Sequence, residues 1–179
     1  AQGPKNTALA AEIADGWLPA FFSPRLNDAY TELLEEGFSR RSDDLSSAQD
    51  FEVSVSVPLA IDADAEAAAD HVRPHLALYI GGMGSASTNF HRNAIVRMGY
   101  EAECDEVQRR YSAGDKAGAA AAIPLELVQD VALVGTAEQV REQLTTWSDT
   151  VATTLILQTD LRAVPRLLPL LNPTPAPAP

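Results

Sequence analysis

Phe51-Glu52-Val53-Ser54-Val55-Ser56-Val57 alternates apolar with polar residues. This period of two residues is that of a β-strand with one buried face and one polar face. Valines occupy one face of the predicted strand, and Glu52, Ser54 and Ser56 occupy the other. The stretch therefore predicts the clearest strand of the chain, with an apolar core on its valine side.

Helices and strands are predicted to alternate on both sides of this strand. Ser23-Pro24 and the capping box of Thr136 and Gln139 each mark a helix start. In chain order, the predicted elements are a last trace of a strand at 1–2, a helix over 5–14, a strand over 17–22, a helix from 23 to about 38, the strand over 51–57, a long helix from Asp62 or Asp64 to 79, a glycine-rich turn over 81–84, short helices over 88–130, a helix over 136–147, a strand over 152–158 and a helix over 160–171. This order predicts a parallel sheet flanked by helices, in which a polar strand face is expected to line a cavity or a hydrogen-bonded interior.

The composition is that of an acidic globular protein. Its 179 residues include 25 acidic and 13 basic side chains, which gives a net charge of −12. This balance argues against nucleic acid or an anionic membrane as the main partner, because both require clustered positive charge. No apolar run approaches the ~20 residues that span a bilayer, and Cys104 has no second cysteine with which to form a disulfide. We therefore expect a cytoplasmic protein.

Ligands of parallel α/β proteins bind at the carboxyl ends of the strands, so candidate sites are sought there. Gly3 has no side chain and precedes a predicted helix, whose first backbone N–H groups could bind an anion. Every helix start has this geometry, and these residues alone favour an ordinary turn.

Three further features have a functional and a structural interpretation, and the structural one is favoured for each. His71 and His75 have the spacing of zinc ligands on a helix, but Pro74 separates them and no third ligand lies beside them. Cys104 has acidic neighbours, which disfavour a reactive thiolate. The basic residues over 88–116 are balanced by acidic ones and are expected to form surface pairs, although one or two of these arginines could close over an anionic ligand.

A series of short motifs runs through the chain in a distinctive order. These motifs are Gly3-Pro4-Lys5, Ala11-Glu12-Ile13-Ala14-Asp15-Gly16-Trp17-Leu18-Pro19, Tyr79-Ile80-Gly81-Gly82-Met83-Gly84, Asn89-Phe90-His91, Arg97-Met98-Gly99-Tyr100, Pro124-Leu125-Glu126-Leu127-Val128, Leu133-Val134-Gly135 and Thr153-Thr154-Leu155. The series resembles the luciferase-like monooxygenase superfamily, specifically its deazaflavin-dependent oxidoreductase branch, over about 1–171.

The resemblance implies an α/β fold that is the C-terminal half of a TIM-like (β/α)8 barrel. This half-barrel would occupy 1–171, from the end of strand 5 to helix 8. A helical insertion before the last strand would occupy about 80–135, and 172–179 would be a disordered Pro/Ala tail. A complete barrel needs eight strands, so we expect a missing N-terminal half and self-association into a homo-oligomer.

The resemblance also implies coenzyme F-420 as the cofactor, with FMN as the alternative. The residues that would contact its phosphate side are Gln2, Gly3, Pro19, Ala20 and Phe21. His91 would contact the substrate, whereas no catalytic residue and no metal ligand is expected, because the family's catalytic acid or histidine lies in the first half of the barrel. The implied activity is hydride transfer between reduced F-420 and an organic substrate, with the half-barrel alone inactive. An FMN-dependent monooxygenase and a non-catalytic binding or assembly module are the alternatives.

Overall fold

A computed structural model describes residues 2–84, 88–160 and 164–171 of the chain. Its helices are α1 (Pro4–Ile13), α2 (Asn27–Phe38), α3 (Ala65–Asp70), α4 (Arg73–Gly82), α5 (Phe90–Arg97), α6 (Glu101–Ser112), α7 (Lys116–Ala121), α8 (Leu125–Val131), α9 (Ala137–Ser148) and α10 (Val164–Leu171). Its strands are β1 (Gly16–Trp17), β2 (Glu52–Ile61), β3 (Leu133–Gly135) and β4 (Thr154–Gln158). One or more helices separate successive strands along the chain, and the predicted α/β class is confirmed.

The sheet is built around β2, the strand predicted from the valine alternation. β2 pairs in parallel with β1 at its start, with β4 along its middle and with β3 at its end. Val53, Val55 and Val57 are at most 2% exposed, whereas the alternate positions of β2 are partly accessible. The predicted division into an apolar and a polar face is therefore confirmed, and the parallel pairing brings the carboxyl ends of the strands together.

Two apolar clusters fill the interior. One lies against the sheet and includes Trp17, Phe22 and Trp147, while the other lies among α3–α8 and includes Leu76 and Ile95. The predicted insertion over 80–135 is thus mainly helical and has much of its own core, whereas its boundaries stay a prediction. In the part of the chain that the structure describes, no helix has the length and apolar character needed to cross a membrane.

Two predicted elements differ in extent. The strand predicted over 17–22 is only β1, because Pro19 lacks the N–H group that the next pairing would need, and 18–22 leave the sheet as a loop. The long helix predicted from Asp62 or Asp64 to 79 is two helices, since Pro74 belongs to the first turn of α4 and cannot continue α3. Asp64 caps α3, as predicted, by accepting a hydrogen bond from the N–H of Ala67 at 2.8 Å.

The glycine-rich turn predicted over 81–84 begins with two helical residues. Gly81 and Gly82 belong to α4, and a Cβ on Gly81 would lie 2.5 Å from the Cβ of Tyr111. These glycines therefore allow α4 and α6 to pack closely. The short strand β3 was not predicted, and Gln2 is not in a strand. The predicted tail over 172–179 lies outside the described residues.

The two predicted helix starts have different outcomes. Thr136 and Gln139 form the predicted capping box at the start of α9, where the Thr136 N–H donates to Oε1 of Gln139 at 2.9 Å. Ser23 makes no side-chain cap, and a short 3₁₀ helix over Pro24–Leu26 precedes α2.

Candidate functional site

Three adjoining cavities lie along the carboxyl ends of β1, β2 and β4. The α1 cavity, about 280 Å³, lies between the start of α1, the loop after β1, and helices α2 and α5. The central cavity, about 250 Å³, is bounded by that loop, α4 and the ends of β2 and β4. The outer cavity, about 530 Å³, continues from these strand ends towards α3 and α4. The loop residues Pro19, Ala20 and Phe21 line both the α1 and central cavities, so these two form one track.

All of the residues predicted to contact the cofactor line the α1 cavity. They are Gln2, Gly3, Pro19, Ala20 and Phe21. The first two precede α1 and the other three follow β1, and the packing of α1 beside β1 and α2 brings the two segments together. The structure thus assembles the predicted set, while its contact with a cofactor stays a prediction.

Gly3 gives the α1 cavity a helix start that suits an anion. Its φ of +85° lies in the left-handed region, which disfavours any residue with a Cβ. Gly3 is the N-cap of α1 and supplies no side-chain hydrogen bond to the first turn, which contains no acidic residue. Pro4 has no N–H group, so the uncapped donors of this turn are the N–H groups of Lys5 and Asn6. Gly3, Pro4 and Thr7 bring the positive end of the helix dipole to this cavity, and none of the described residues that line it is acidic.

Gln2 connects this helix start to His91, the residue predicted to contact the substrate. The Nε2 amide of Gln2 donates to Nδ1 of His91 at 3.2 Å, so the neutral imidazole carries its proton on Nε2. Partial burial lowers the pKa of His91, which keeps the ring neutral at pH 7. The Oε1 atom of Gln2 is buried and has no hydrogen-bond partner within the described chain. A buried acceptor of this kind can accept a hydrogen bond from a bound molecule or from an ordered water.

Aromatic rings surround His91 at the junction of the α1 and central cavities. The Tyr79 ring meets His91 edge-on with centroids 4.7 Å apart, and Phe21 lies 5.7 Å from Tyr79 and 6.0 Å from His91. One turn earlier in α4, the His75 ring lies with its centroid 4.7 Å from that of Tyr79. Burial lowers the pKa of His75 as well. Ser56, from the polar face of β2, also lines the central cavity, as predicted for that face. The cavity wall is thus aromatic and uncharged at neutral pH.

Asn89 fixes the position of His91 relative to Tyr79. Its Oδ1 accepts hydrogen bonds at 3.0 Å from the N–H groups of His91 and Arg92, and so caps α5. Its Nδ2 donates to the carbonyl oxygens of Tyr79 at 2.7 Å and Ile80 at 3.0 Å. Because Asn89 is fully buried, these four bonds connect the start of α5 rigidly to the end of α4.

A second polar cluster holds the segment after β1 against the start of α6 and against α8. Nε of Arg25 donates to Asp130 at 2.8 and 2.9 Å, and its Nη2 donates to the carbonyl oxygen of Met98 at 3.2 Å. The hydroxyl of Tyr100 donates to Asp130 at 2.7 Å. Burial and the Asp130 carboxylate raise the pKa of Tyr100 to about 12. This Arg25–Asp130–Tyr100 cluster fixes the segment next to the cavity-lining loop.

His75 and Tyr79 are the site residues that sequence reasoning missed. The sequence favoured an ordinary role for His75, but its side chain lines both the central and the outer cavities. The sequence feature that could have identified them is the i, i+4 spacing of His75 and Tyr79, which places both side chains on one helix face. His71 instead pairs through Nε2 with Asp62 at 2.9 Å and lines only the outer cavity. Within the described residues, no group of three or more His, Cys, Asp or Glu side chains could hold a metal.

The structural interpretation of Cys104 is supported, because its side chain is fully buried and burial raises its pKa to about 12. The expected pairing with acidic residues is confirmed for most arginines of the 88–116 segment, although Arg92 is buried and is not a surface residue. Arg92 pairs with Asp105, Arg109 with Glu106 at 2.7 Å and Arg110 with Glu106 at 2.5 Å. Arg97 differs from them, because it forms no ion pair with any described residue.

Comparison with known families gives a direct match. The model of the luciferase-like monooxygenase family matches residues 1–154. The chain belongs to this family.

Two individual proteins give a more specific comparison. A candidate coenzyme F-420-dependent oxidoreductase of Mycobacterium tuberculosis is 46% identical over 157 residues, which are 88% of this chain and 45% of that protein. The 5,10-methylenetetrahydromethanopterin reductase of Archaeoglobus fulgidus is 25% identical over 144 residues, which are 80% of this chain and 42% of that protein. The chain therefore spans about half the length of the curated relatives that it matches.

Solved structures show the same relation. The coenzyme F-420-dependent tetrahydromethanopterin reductase of Methanopyrus kandleri matches 93% of this chain and 47% of its own, with a TM-score of 0.69 at 18% identity. An F-420-dependent secondary alcohol dehydrogenase, in complex with an F-420–acetone adduct, matches 91% of this chain and 43% of its own, with a TM-score of 0.62 at 15% identity. These enzymes are TIM barrels, and the match to about half of each confirms the predicted half-barrel fold.

Proposed function

We propose that the protein is an oxidoreductase that binds coenzyme F-420 along the α1 and central cavities and transfers hydride between this cofactor and a small organic substrate. The observation that carries the proposal is the continuity of the track, in which an uncapped helix start and an aromatic pocket share the Pro19-Ala20-Phe21 loop. Coenzyme F-420 has the same two parts, a phosphodiester and a planar deazaflavin ring. The names of the similar proteins, which refer repeatedly to coenzyme F-420, support the choice of cofactor.

The residues of the track fit the two parts of the cofactor. The buried Oε1 of Gln2, which has no partner among the described residues, can accept a hydrogen bond from the bound molecule, and the uncapped N–H groups of α1 can donate to its phosphate. Phe21 and Tyr79 offer apolar ring surface and exclude water. When bound, the deazaflavin supplies the hydride chemistry, and the protein supplies position and electrostatics.

The residues that line the central cavity favour a small, uncharged substrate. Its rings of Tyr79, His75 and His91 carry no charge at neutral pH, because burial lowers the pKa of both histidines. His91 is held by Gln2 with its proton on Nε2, so it can donate a hydrogen bond to a carbonyl or hydroxyl oxygen of the substrate. We assign His91 to substrate binding and assign no catalytic residue to this chain.

We also propose that an N-terminal half completes the barrel. Within the described residues, β4 pairs only with β2, and Ile156 on β4 is 46% exposed. A strand with one unpaired edge and an exposed apolar side chain favours pairing with further strands. This supports an N-terminal half that completes the barrel and supplies the catalytic residues. Without it, we expect the half-barrel to be inactive and to associate with further copies of itself.

A matched pair of glycine variants tests the location of the phosphate. Gly3 and Gly114 have φ values of +85° and +83°, and at neither position would a Cβ meet a heavy atom within 4 Å. Aspartate at either position therefore has a similar strain of about 1 kcal/mol. Only Gly3 lines the α1 cavity, and Gly114 lies in the turn between α6 and α7.

The assay is titration of the full-length protein with F-420, followed by its visible absorbance. We expect Gly3→Asp to weaken binding by about 10-fold or more, because a carboxylate next to the phosphate repels it, and Gly114→Asp to bind as the wild type does. Equal affinity of the Gly3→Asp variant and the wild type would contradict the proposed phosphate position. If reduced FMN bound more tightly than F-420, the FMN alternative would replace the proposal.

A further inference from the structure

Arg97 lines the α1 cavity and has no carboxylate partner among the residues that the structure describes. In this acidic chain, Arg25, Arg73 and Arg92 each form an ion pair with an aspartate. Arg97, by contrast, forms no hydrogen bond or ion pair with any other residue that the structure describes. Arg97 is the last residue of α5 and lines the α1 cavity. An unpaired guanidinium at a cavity leaves its five N–H donors available to a ligand.

The surroundings of Arg97 favour an anion. No acidic residue is among the described residues that line the α1 cavity, although the whole chain has a net charge of −12. The charge of Arg97 also reaches Tyr30 in the cavity wall, where it opposes the effect of burial, which raises the pKa of Tyr30. Arg97 and the start of α1 therefore place positive potential on one cavity from two different elements.

The backbone on both sides of Arg97 is fixed. Asn89 anchors the start of α5, as described above, and the carbonyl oxygen of Met98 accepts a hydrogen bond from Arg25 at 3.2 Å. The side chain of Arg97 is exposed and can change its conformation to meet a ligand. A ligand that pairs with it needs to order one side chain and no backbone, which reduces the entropic cost of binding.

We infer that Arg97 binds the anionic tail of the deazaflavin cofactor, through its phosphodiester or a glutamate carboxylate, at the α1 cavity. The inference rests on the proposed function and adds a residue that selects the tailed cofactor over forms without a tail. A guanidinium suits either group, because its planar donors match two oxygen atoms at once.

Three forms of the cofactor separate the two groups. The deazaflavin riboside has no phosphate, the phospholactyl form has the phosphodiester and a lactyl carboxylate, and the glutamylated forms add the glutamate carboxylates. Their affinities would be measured by visible absorbance or fluorescence titration of the full-length protein, with the Arg97→Gln and Arg97→Lys variants. Arg141→Gln is the matched control, since Arg141 is an exposed arginine on α9 that lines none of the three cavities.

We expect Arg97→Gln to weaken the binding of tailed forms by about 10-fold and to leave the riboside unchanged, with Arg97→Lys intermediate and Arg141→Gln without effect. Loss with the phospholactyl form assigns the phospholactyl part of the tail, which contains the phosphodiester, and loss with the glutamylated forms alone assigns a glutamate carboxylate. Unchanged binding of every form by Arg97→Gln, or an equal loss that includes the riboside, overturns the inference while F-420 binding itself stands. If the wild type binds none of the forms, the proposed function fails, and the inference fails with it.

Discussion

Replacement of Asp130 by asparagine removes the charge at the centre of the Arg25–Asp130–Tyr100 cluster. The Asp130 carboxylate is 13% exposed and accepts hydrogen bonds from both neighbours. Asparagine keeps the size of the side chain and has similar helix propensity, so the variant tests the charge and its hydrogen bonds. Its single acceptor oxygen cannot serve the guanidinium and the phenol as two carboxylate oxygens do.

The expected loss of stability comes from two contacts. The hydrogen bond from the Tyr100 hydroxyl to the partly buried carboxylate would contribute about 1 kcal/mol less to the free energy of unfolding when the acceptor becomes neutral. The Arg25 pair adds only about 0.5 kcal/mol, because that side chain is 54% exposed and solvent screens it. The sum is about 1.5 kcal/mol, which corresponds to a fall in Tm of about 3–6 °C. The pKa of Tyr100 is also expected to fall below about 12, while burial, the larger cause, continues to raise it.

The assay is urea unfolding followed by the fluorescence of the buried Trp17 and Trp147, together with alkaline titration of tyrosine absorbance. Glu126→Gln is the control, because Glu126 is an exposed carboxylate on the same helix, α8. It is expected to change the free energy of unfolding by less than about 0.5 kcal/mol. Equal stabilities of Asp130→Asn and Glu126→Gln would refute the reasoning.

Three more predictions concern packing, reactivity and pH. A Cβ at Gly37 would lie 2.1 Å from a backbone oxygen of α1, so Gly37→Ala should cost about 2 kcal/mol in urea unfolding, and a neutral result would contradict the α1–α2 packing. Cys104, with its pKa raised to about 12, should not react with a thiol reagent at about pH 8 until the protein unfolds, and rapid labelling of the native protein would disprove its burial. Burial lowers the pKa of His75 and His91 below 6.5, and the unfolded chain binds protons first as pH falls, so stability should decrease below about pH 6.5. Replacement of both by glutamine should flatten this decrease relative to His71→Gln, and an unchanged slope would exclude the two histidines as its cause.

Local patterns in the sequence predicted local structure well. The valine alternation predicted β2 and its buried face, and the spacing of Thr136 and Gln139 predicted the start of α9. Both signals depend on residues a few positions apart, where the backbone period alone determines which side chains meet. The loop after β1 was mistaken for strand because its apolar residues line cavities instead of pairing in the sheet, and Pro19 was the available warning.

Contacts between distant segments could not be predicted in this way. Gln2 and His91 are 89 positions apart, and Arg25 and Asp130 are 105 apart. No period or spacing relates such pairs, because the packing of whole helices brings them together. The resemblance to a family placed Gln2 and His91 in one site, but it gave no signal for Asp130.

The spectrum of F-420 in the presence of the full-length protein tests the central claim most directly. The account predicts a saturable shift of the cofactor's visible absorbance, because its ring would move from water into the aromatic, uncharged wall of the central cavity. It also predicts weaker binding of FMN in a parallel titration. No spectral shift at high F-420 concentration would contradict the account.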